Sequence, residues 1–347
     1  MSSSCLNMKT EKQSVAIVGS GAVGCYYGAR LWETQEYNVM FHMRGDHFSL
    51  SKKKGLNVTS VKGDIYIPPS ELLAFENTSD IGKVDWVVLC LKSTGIQAIP
   101  SLLSPLLDTN TRVLAIMNGF VDEDIVRLLE NLEPEEDLIL TKCAAIYGGM
   151  AFLCSNRVGP GRIHHSYAGN LTASICISSA QHNDENIHEQ AIVDLWNPTK
   201  GFEFSYDPNL TRARWSKALW NLPFNGLSVA MNGITVNKIV NDPGLRKLAY
   251  LIMDETIAVA NKDLLSRGYS ETALFGEDEK QAMMKLSDSM GPYKTSTMID
   301  LINRNPMEVQ YVFRKALDRA ETLNVPVPTL NTVVTQIEAL QRIYNLF

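Results

Sequence analysis

Along the first part of the chain, short runs of apolar, β-favouring residues alternate with stretches of helical spacing. Residues 15–18, 38–43, 85–91, 112–117 and 138–141 read as buried strands. The stretches between them, such as 22–32 and 122–132, repeat apolar residues at helical intervals. Alternation of this kind predicts a largely parallel sheet with helices on its faces. After about Cys143 the pattern changes to shorter strand-like pieces with glycine and proline, among them Gly159-Pro160-Gly161 and residues 171–177. A polar stretch, 181–189, reads as a surface loop or helix start, and 202–205 as one last strand. Asp207-Pro208-Asn209 then reads as a linker and a helix start. Beyond it, residues 212–229, 244–266, 277–289 and 305–324 carry apolar positions at three- and four-residue intervals. These patterns divide the chain into an α/β domain, residues 1–206, and an all-helical domain, residues 207–347.

Composition narrows the class. Hydrophobic residues make up 45% and charged residues 20% of the 347, the mix of a soluble globular protein. The formal net charge of −6 argues against a nucleic-acid or anionic-membrane partner, yet leaves room for a local basic pocket. The six cysteines include no CxxC pair and none at zinc-ligand spacing, so no metal site is expected and reduced thiols are. Residues 1–13 are polar and lack the apolar core of a secretory signal. No apolar run approaches the ~18 residues of a membrane span. A cytoplasmic location is the expectation.

Gly19-Ser20-Gly21-Ala22-Val23-Gly24 follows the first strand and opens a helix. One glycine makes the tight turn, one lets backbone amides approach a pyrophosphate, and one lets helix and strand pack closely. The unpaired amides of the helix start then hold the diphosphate. In this setting the motif points to a dinucleotide. Cofactor choice turns on the end of the second strand, where an NAD site usually carries an acidic residue and this chain has Arg44. A guanidinium matches a 2′-phosphate and offers no acceptor to a bare 2′-hydroxyl, which favours NADPH. The competing readings are a solvated surface arginine and Asp46 turning in as an NAD-type ligand. His47 is either a second phosphate contact or a solvent-exposed histidine. Lys92 and Asn118-Gly119 close two further strands, where open α/β sheets bind ligands; loop positions without a task are the alternative.

In the helical half, Lys217, Asn221 and Asn225 fall four residues apart and share one helix face among Trp215, Leu219, Trp220, Leu222 and Phe224. Polar groups in such surroundings need partners. A solvated stripe or a set of satisfied core amides is the bland reading, and Pro223 is expected to kink the helix. Ser296 and Asp300 precede Glu308, which sits among Met307, Val309, Tyr311, Val312 and Phe313. Glu308 is either functional or on the polar side of an amphipathic helix.

Together these residues resemble the ketopantoate reductase family. The likeness runs from Val15 to about Gln341 and includes the Met43-Arg44 step, Leu91-Lys92, Asn118-Gly119 and Trp215-x-Lys217-x-x-x-Asn221-x-x-x-Asn225. The Ser296 to Glu308 spacing and the segment Asn324 to Thr329 also fit. The resemblance implies an α/β Rossmann-type dinucleotide-binding domain followed by an all-helical C-terminal domain. It further implies NADPH-dependent reduction of a small-molecule 2-oxo acid, 2-dehydropantoate, to pantoate. In that scheme Lys217 is the general acid, and Glu308 holds the substrate hydroxyl and helps place Lys217. Ser296 and Asn225 contact the substrate, Asn221 orients it or the lysine, and Arg44, Lys92 and Asn118 bind the cofactor. A homodimer is left open. The family's further asparagine is replaced here by Thr235, with Asn232 a loose substitute, and the segment between Cys143 and Asp207 is longer than in compact members. Two rivals remain: a same-fold reductase of another branched 2-oxo acid, and a non-catalytic NADP(H)-binding sensor.

Overall fold

The computed structural model describes residues 12–182 and 184–347; Cys5 and most of the N-terminal stretch read for a signal lie outside the described residues. Its elements in chain order begin with β1 (Ser14–Val18), α1 (Ala22–Glu33), β2 (Asn38–His42), α2 (Gly45–Lys54), β3 (Leu56–Ser60), β4 (Ile65–Ile67) and β5 (Leu73–Phe75). They continue with β6 (Trp86–Leu89), α3 (Ile99–Leu103), β7 (Arg112–Ile116), α4 (Asp122–Glu130), β8 (Ala145–Gly159), β9 (Arg162–Ser178), α5 (Glu185–Trp196) and β10 (Phe204–Tyr206). The helical half holds α6 (Leu210–Ala230), α7 (Val236–Asn241), α8 (Pro243–Ser266), α9 (Glu277–Ser289), α10 (Ser296–Asn303), α11 (Lys315–Thr322) and α12 (Pro328–Tyr344).

All described strands belong to one ten-stranded sheet in the order β4-β3-β9-β8-β7-β6-β1-β2-β5, with β10 beside β9. From β5 to β8 every pairing is parallel. Parallel strands are covered on both faces, which is why β1 and β6 read as unbroken apolar runs. Val15 and Ile17 pack into the core on one face, while Ala16 and Val18 pack into the core on the other. A third core fills the helical half around α6, whose residues from Leu222 to Val229 are all buried. No helix among the described residues is long and apolar enough to cross a membrane.

Four expectations change. Residues 138–141 form no strand: Leu140 is buried but Ile139 is 59% exposed, and Thr141 and Lys142 instead hydrogen-bond Glu130. The strand beside β7 starts later, at Ala145. The glycine-punctuated pieces are one long antiparallel hairpin, β8–β9, turning at Gly159-Pro160-Gly161. Four register shifts along it break the period-two pattern. Residues 305–324 are not one helix, because Pro306 leads an irregular segment through Glu308, and Gln310–Arg314 then forms a π-helical turn before α11. Pro223, finally, neither ends α6 nor takes Asn225 out of line, since Asn225 still bonds Asn221 across it.

Two of the contacts that join the halves hold their junction together. Arg214 of α6 donates two hydrogen bonds to the Asp122 carboxylate at 2.7 and 2.6 Å, both residues buried, and a third to the Met117 carbonyl at 2.7 Å. The Gly119 loop lies against the π-helical turn, with the Phe120 amide donating to the Tyr311 carbonyl at 3.0 Å. Gly119 holds φ +82°, and a Cβ there would stand 2.3 Å from the Tyr311 oxygen, so only glycine permits this approach.

Candidate active site

The first βα turn has the shape its glycines suggested. Gly19 takes φ +90°, and a Cβ on it would meet the Cys90 carbonyl at 2.8 Å. Gly24 packs so closely that a Cβ would lie 2.5 Å from the Gly19 oxygen. Gly21 differs: nothing lies within 4 Å of its Cβ position. That open face adjoins the start of α1, where Ala22 and Val23 form the first turn, no side chain caps the helix, and no acidic residue stands. Buried Ser20 completes the turn, its amide donating to the His42 carbonyl at 3.3 Å and its hydroxyl to the Ile17 carbonyl. An uncapped helix start facing open space fits a diphosphate.

Arg44 follows β2 and occupies the N-cap position of α2, exposed to solvent. It lines an open pocket of about 430 Å³ with Asp46, His47, Arg157, Val158, Gly159 and Pro160. His47 is not a free surface group. It is buried, its Nδ1 accepts from the Gly161 amide at 3.0 Å, and its Nε2 lies 3.5 Å from Cys25 Sγ. Burial lowers the imidazole from its ordinary range, as does the nearby Arg157 charge.

Apart from that pocket, the helical half supplies the chemistry-bearing groups. The Lys217 amine donates to the Ala151 carbonyl at 2.8 Å and lies 4.0 Å from the Phe152 ring centre and 5.8 Å from that of Trp220. Burial lowers its pKa to about 8, with Cys154 acting in the opposite direction. One of three N–H donors is used by Ala151, which leaves protons for a bound oxygen. Lys217 and Asn221 share a small cavity with Gly119, Phe120, Arg214, Ala218 and Val312, at the junction of the halves. The four-residue stripe holds across Pro223, since Asn225 Nδ2 donates to Asn221 Oδ1 at 3.1 Å. Asn225 Oδ1 in turn accepts from the Thr297 amide at 3.1 Å and from Ser296 Oγ at 3.4 Å, which fixes the start of α10 against α6.

Glu308 comes from the irregular segment ahead of the π-helical turn and is 6% exposed. Its Oε1 accepts from the Ser93 amide at 2.8 Å and the Ser93 hydroxyl at 3.0 Å, and its Oε2 from Asn118 Nδ2 at 3.4 Å. Burial raises its pKa, opposed by the Ser93 and Asn118 hydrogen bonds and the Lys92 charge. Exposed Lys92 pairs with buried Asp300 of α10. Lys92, Ser93 and Asn118 thus stand at the ends of β6 and β7 and meet the helical half directly.

The structure therefore gathers Lys92, Asn118, Glu308, Lys217, Asn221, Asn225 and Ser296 around the junction, but Lys217 and Glu308 share no hydrogen bond. The amine is held by Ala151 and two rings, the carboxylate by Ser93 and Asn118. Thr235 and Asn232 serve local structure. Thr235 stands at the N-cap position of α7 without a side-chain cap bond and donates from Oγ1 to Asn237 Oδ1 at 2.6 Å, and Asn232 is an exposed residue at φ +57° just past α6. Sequence reasoning missed Ser93, Ala151, Phe152 and Arg157. Ser93 had a visible signal, its place directly after Lys92 at a strand end, whereas the other three depend on the course of the hairpin.

Comparison with known proteins places this geometry. Residues 15–175 match the family model for ketopantoate reductase PanE/ApbA, and residues 209–341 match that for its C-terminal domain. A 2-dehydropantoate 2-reductase of Nostoc sp. is 31% identical over 336 residues, covering 95% of each chain. The crystal structure of 2-dehydropantoate 2-reductase from Geobacter metallireducens superposes with a TM-score of 0.81 at 31% identity, covering 94% of this chain and 99% of that one. A ternary structure of D-mandelate dehydrogenase with NADH and anilino(oxo)acetate shares the fold, with a TM-score of 0.77 at 19% identity over 96% of this chain and all of that one. By its two family matches and its full-length relatives, the chain belongs to the ketopantoate reductase family of oxidoreductases.

Proposed function

We propose that the protein reduces 2-dehydropantoate to pantoate with NADPH in the cytosol, with Lys217 as the general acid. In this reading residues 1–206 bind the cofactor and residues 207–347 bring the substrate groups and the acid. The observation that carries it is the half-buried Lys217 amine at the junction of the halves, with a pKa that burial lowers to about 8. A proton donor works best when its pKa lies near the working pH. Bound NADPH supplies the hydride to C2 of the acid. As charge develops on the carbonyl oxygen, the Lys217 ammonium stabilises it and delivers the proton. Asn221, Asn225 and Ser296 position the substrate, and Glu308 accepts from its hydroxyl group. Lys92 and Asn118 hold the nicotinamide end, Gly19 to Gly24 the diphosphate, and Arg44 the 2′-phosphate.

A panel of 2-oxo acids assayed with NADPH tests the substrate. The expected result is a kcat/KM for 2-dehydropantoate well above those for pyruvate, 2-oxoisovalerate and phenylglyoxylate. A second reading, reduction of a bulkier 2-oxo acid, is favoured by the Phe152 ring 4.0 Å from the amine and by a Thr235 hydroxyl committed to Asn237. Highest efficiency on phenylglyoxylate would select it. No turnover of any 2-oxo acid would defeat both readings and leave a nucleotide-binding sensor.

A further inference from the structure

The pocket beside Arg44 is lined by a further cation that the cofactor reading has not used. Arg157 lies on β8, more than a hundred residues from Arg44, yet both line the same open pocket of about 430 Å³. Both are exposed, and neither forms an ion pair with a described carboxylate. Asp46 lines the pocket too, and Glu76 accepts from the Gly45 amide beside it at 3.3 Å. A single arginine facing Asp46 would leave the lining formally neutral, because His47 is a hydrogen-bond acceptor there and so carries no charge at that nitrogen. A phosphate dianion needs a positive excess. The second guanidinium supplies it.

The backbone that carries Arg157 is also held in place. The turn of the β8–β9 hairpin docks on α2, the helix that Arg44 opens. The Gly161 amide donates to His47 Nδ1 at 3.0 Å, and the Gly161 carbonyl accepts from the Asn57 amide at 2.8 Å. At Gly161, φ is +65°, and a Cβ would lie 2.9 Å from Ser51 Oγ and 3.0 Å from the Gly55 oxygen, so the contact is tight enough to require glycine. Pairing of β3 with β9 from Asn57 to Ser60 fastens the hairpin to the strand that follows α2. The two arginines are therefore carried by elements locked to one another. A planar guanidinium offers paired donors that match phosphate oxygens, and two of them can grip one phosphate from two sides.

We infer that Arg157, brought to the Arg44 pocket by the β8–β9 hairpin, is a second cation for the cofactor's 2′-phosphate and sets, with Arg44, the preference for the phosphorylated dinucleotide. This rests on the reading that the chain uses NADPH through Arg44, and the experiment separates the two. Dissociation constants for NADPH and NADH are measured by titration calorimetry on the full chain, as wild type, Arg157→Ala, Arg157→Lys and Arg44→Ala. The expected result is a loss of NADPH affinity on the order of ten- to a hundredfold in Arg157→Ala, the range for a charged hydrogen-bond partner. NADH affinity should change less than twofold, and Arg157→Lys should recover part of the loss. Loss confined to Arg44→Ala would overturn the inference and keep the cofactor reading. Equal loss of NADPH and NADH in Arg157→Ala would reduce Arg157 to a structural role. Wild-type protein without preference for NADPH, with both alanine variants silent, would overturn the inference and the cofactor reading together.

Discussion

At the junction of the two halves, the inner end of the site, Lys217 is half-buried and Glu308 buried; at the Arg44 pocket, its outer end, the charged groups are left exposed. Lys217 lies against Phe152 and Trp220 with a pKa brought down to about 8, and Glu308 is 6% exposed with its pKa raised. Arg44 and Arg157 stand exposed on the lining of an open pocket. Desolvation makes protonation states adjustable, which a proton-transfer site needs. A guanidinium stays charged in either setting, so an open rim costs little and still attracts phosphate. Substitutions at the inner end should therefore change turnover and its pH dependence, and those at the outer end should change cofactor affinity and selectivity.

The largest expected effect is at the inner end. Lys217→Ala should lower kcat for 2-oxo acid reduction by about two to four orders of magnitude, the range for loss of a positioned general acid. NADPH affinity should stay within about twofold, because no cofactor phosphate depends on this amine. Single-turnover kinetics read the first quantity and calorimetry the second. Undiminished single-turnover rates would remove Lys217 from the chemistry.

Arg44→Ala is the counterpart at the outer end. It should weaken NADPH about ten- to a hundredfold while leaving NADH nearly unchanged, with saturated kcat within about threefold of wild type. A comparable fall in saturated kcat would mean that the two ends are not separable.

Between these effects lies pH. Reduction consumes the protonated amine, so kcat/KM for the 2-oxo acid should be level below pH 8 and fall about tenfold per unit above it. The reverse oxidation requires the free amine and should rise through the same pH. NADPH binding should show no corresponding step. A flat reductive profile to pH 10 would show that the lysine is not the group that gives up the proton.

These contrasts bear on what a sequence can disclose. The spacing of Lys217, Asn221 and Asn225 was readable because a helix repeats locally, and even Pro223 left the i to i+4 contact intact. Arg44 was readable because it ends a strand of an alternating pattern. The π-helical turn hid the exact placement of Glu308, since an apolar run with Pro306 at its head looks like an ordinary helix. Arg157 and Phe152 were invisible for a different reason. Their positions depend on a hairpin whose register shifts erase the alternation, and on docking between α2 and a turn far along the chain. The divergence at Thr235 was visible, but its consequence, a hydroxyl committed to Asn237, was not.

Phe152 offers the smallest and most discriminating test of how the inner end is built. Its ring centre lies 4.0 Å from the Lys217 nitrogen, close enough to favour the charged amine, while the bulk of the same ring keeps water out and favours the neutral one. Phe152→Leu separates the two effects, because leucine retains most of the apolar bulk and has no π face. Loss of a cation–π contact worth about 1 kcal/mol corresponds to roughly 0.7 of a pKa unit. With desolvation largely kept, the alkaline limb of kcat/KM should move down by about half to one unit, and kcat at pH 6 should stay within about twofold. Were the limb to move up, water would have entered and exclusion by the ring would be the dominant effect. In that case the hairpin would act on Lys217 as a lid rather than as a partner for its charge, and Ala151 and Trp220 would be left to position the amine.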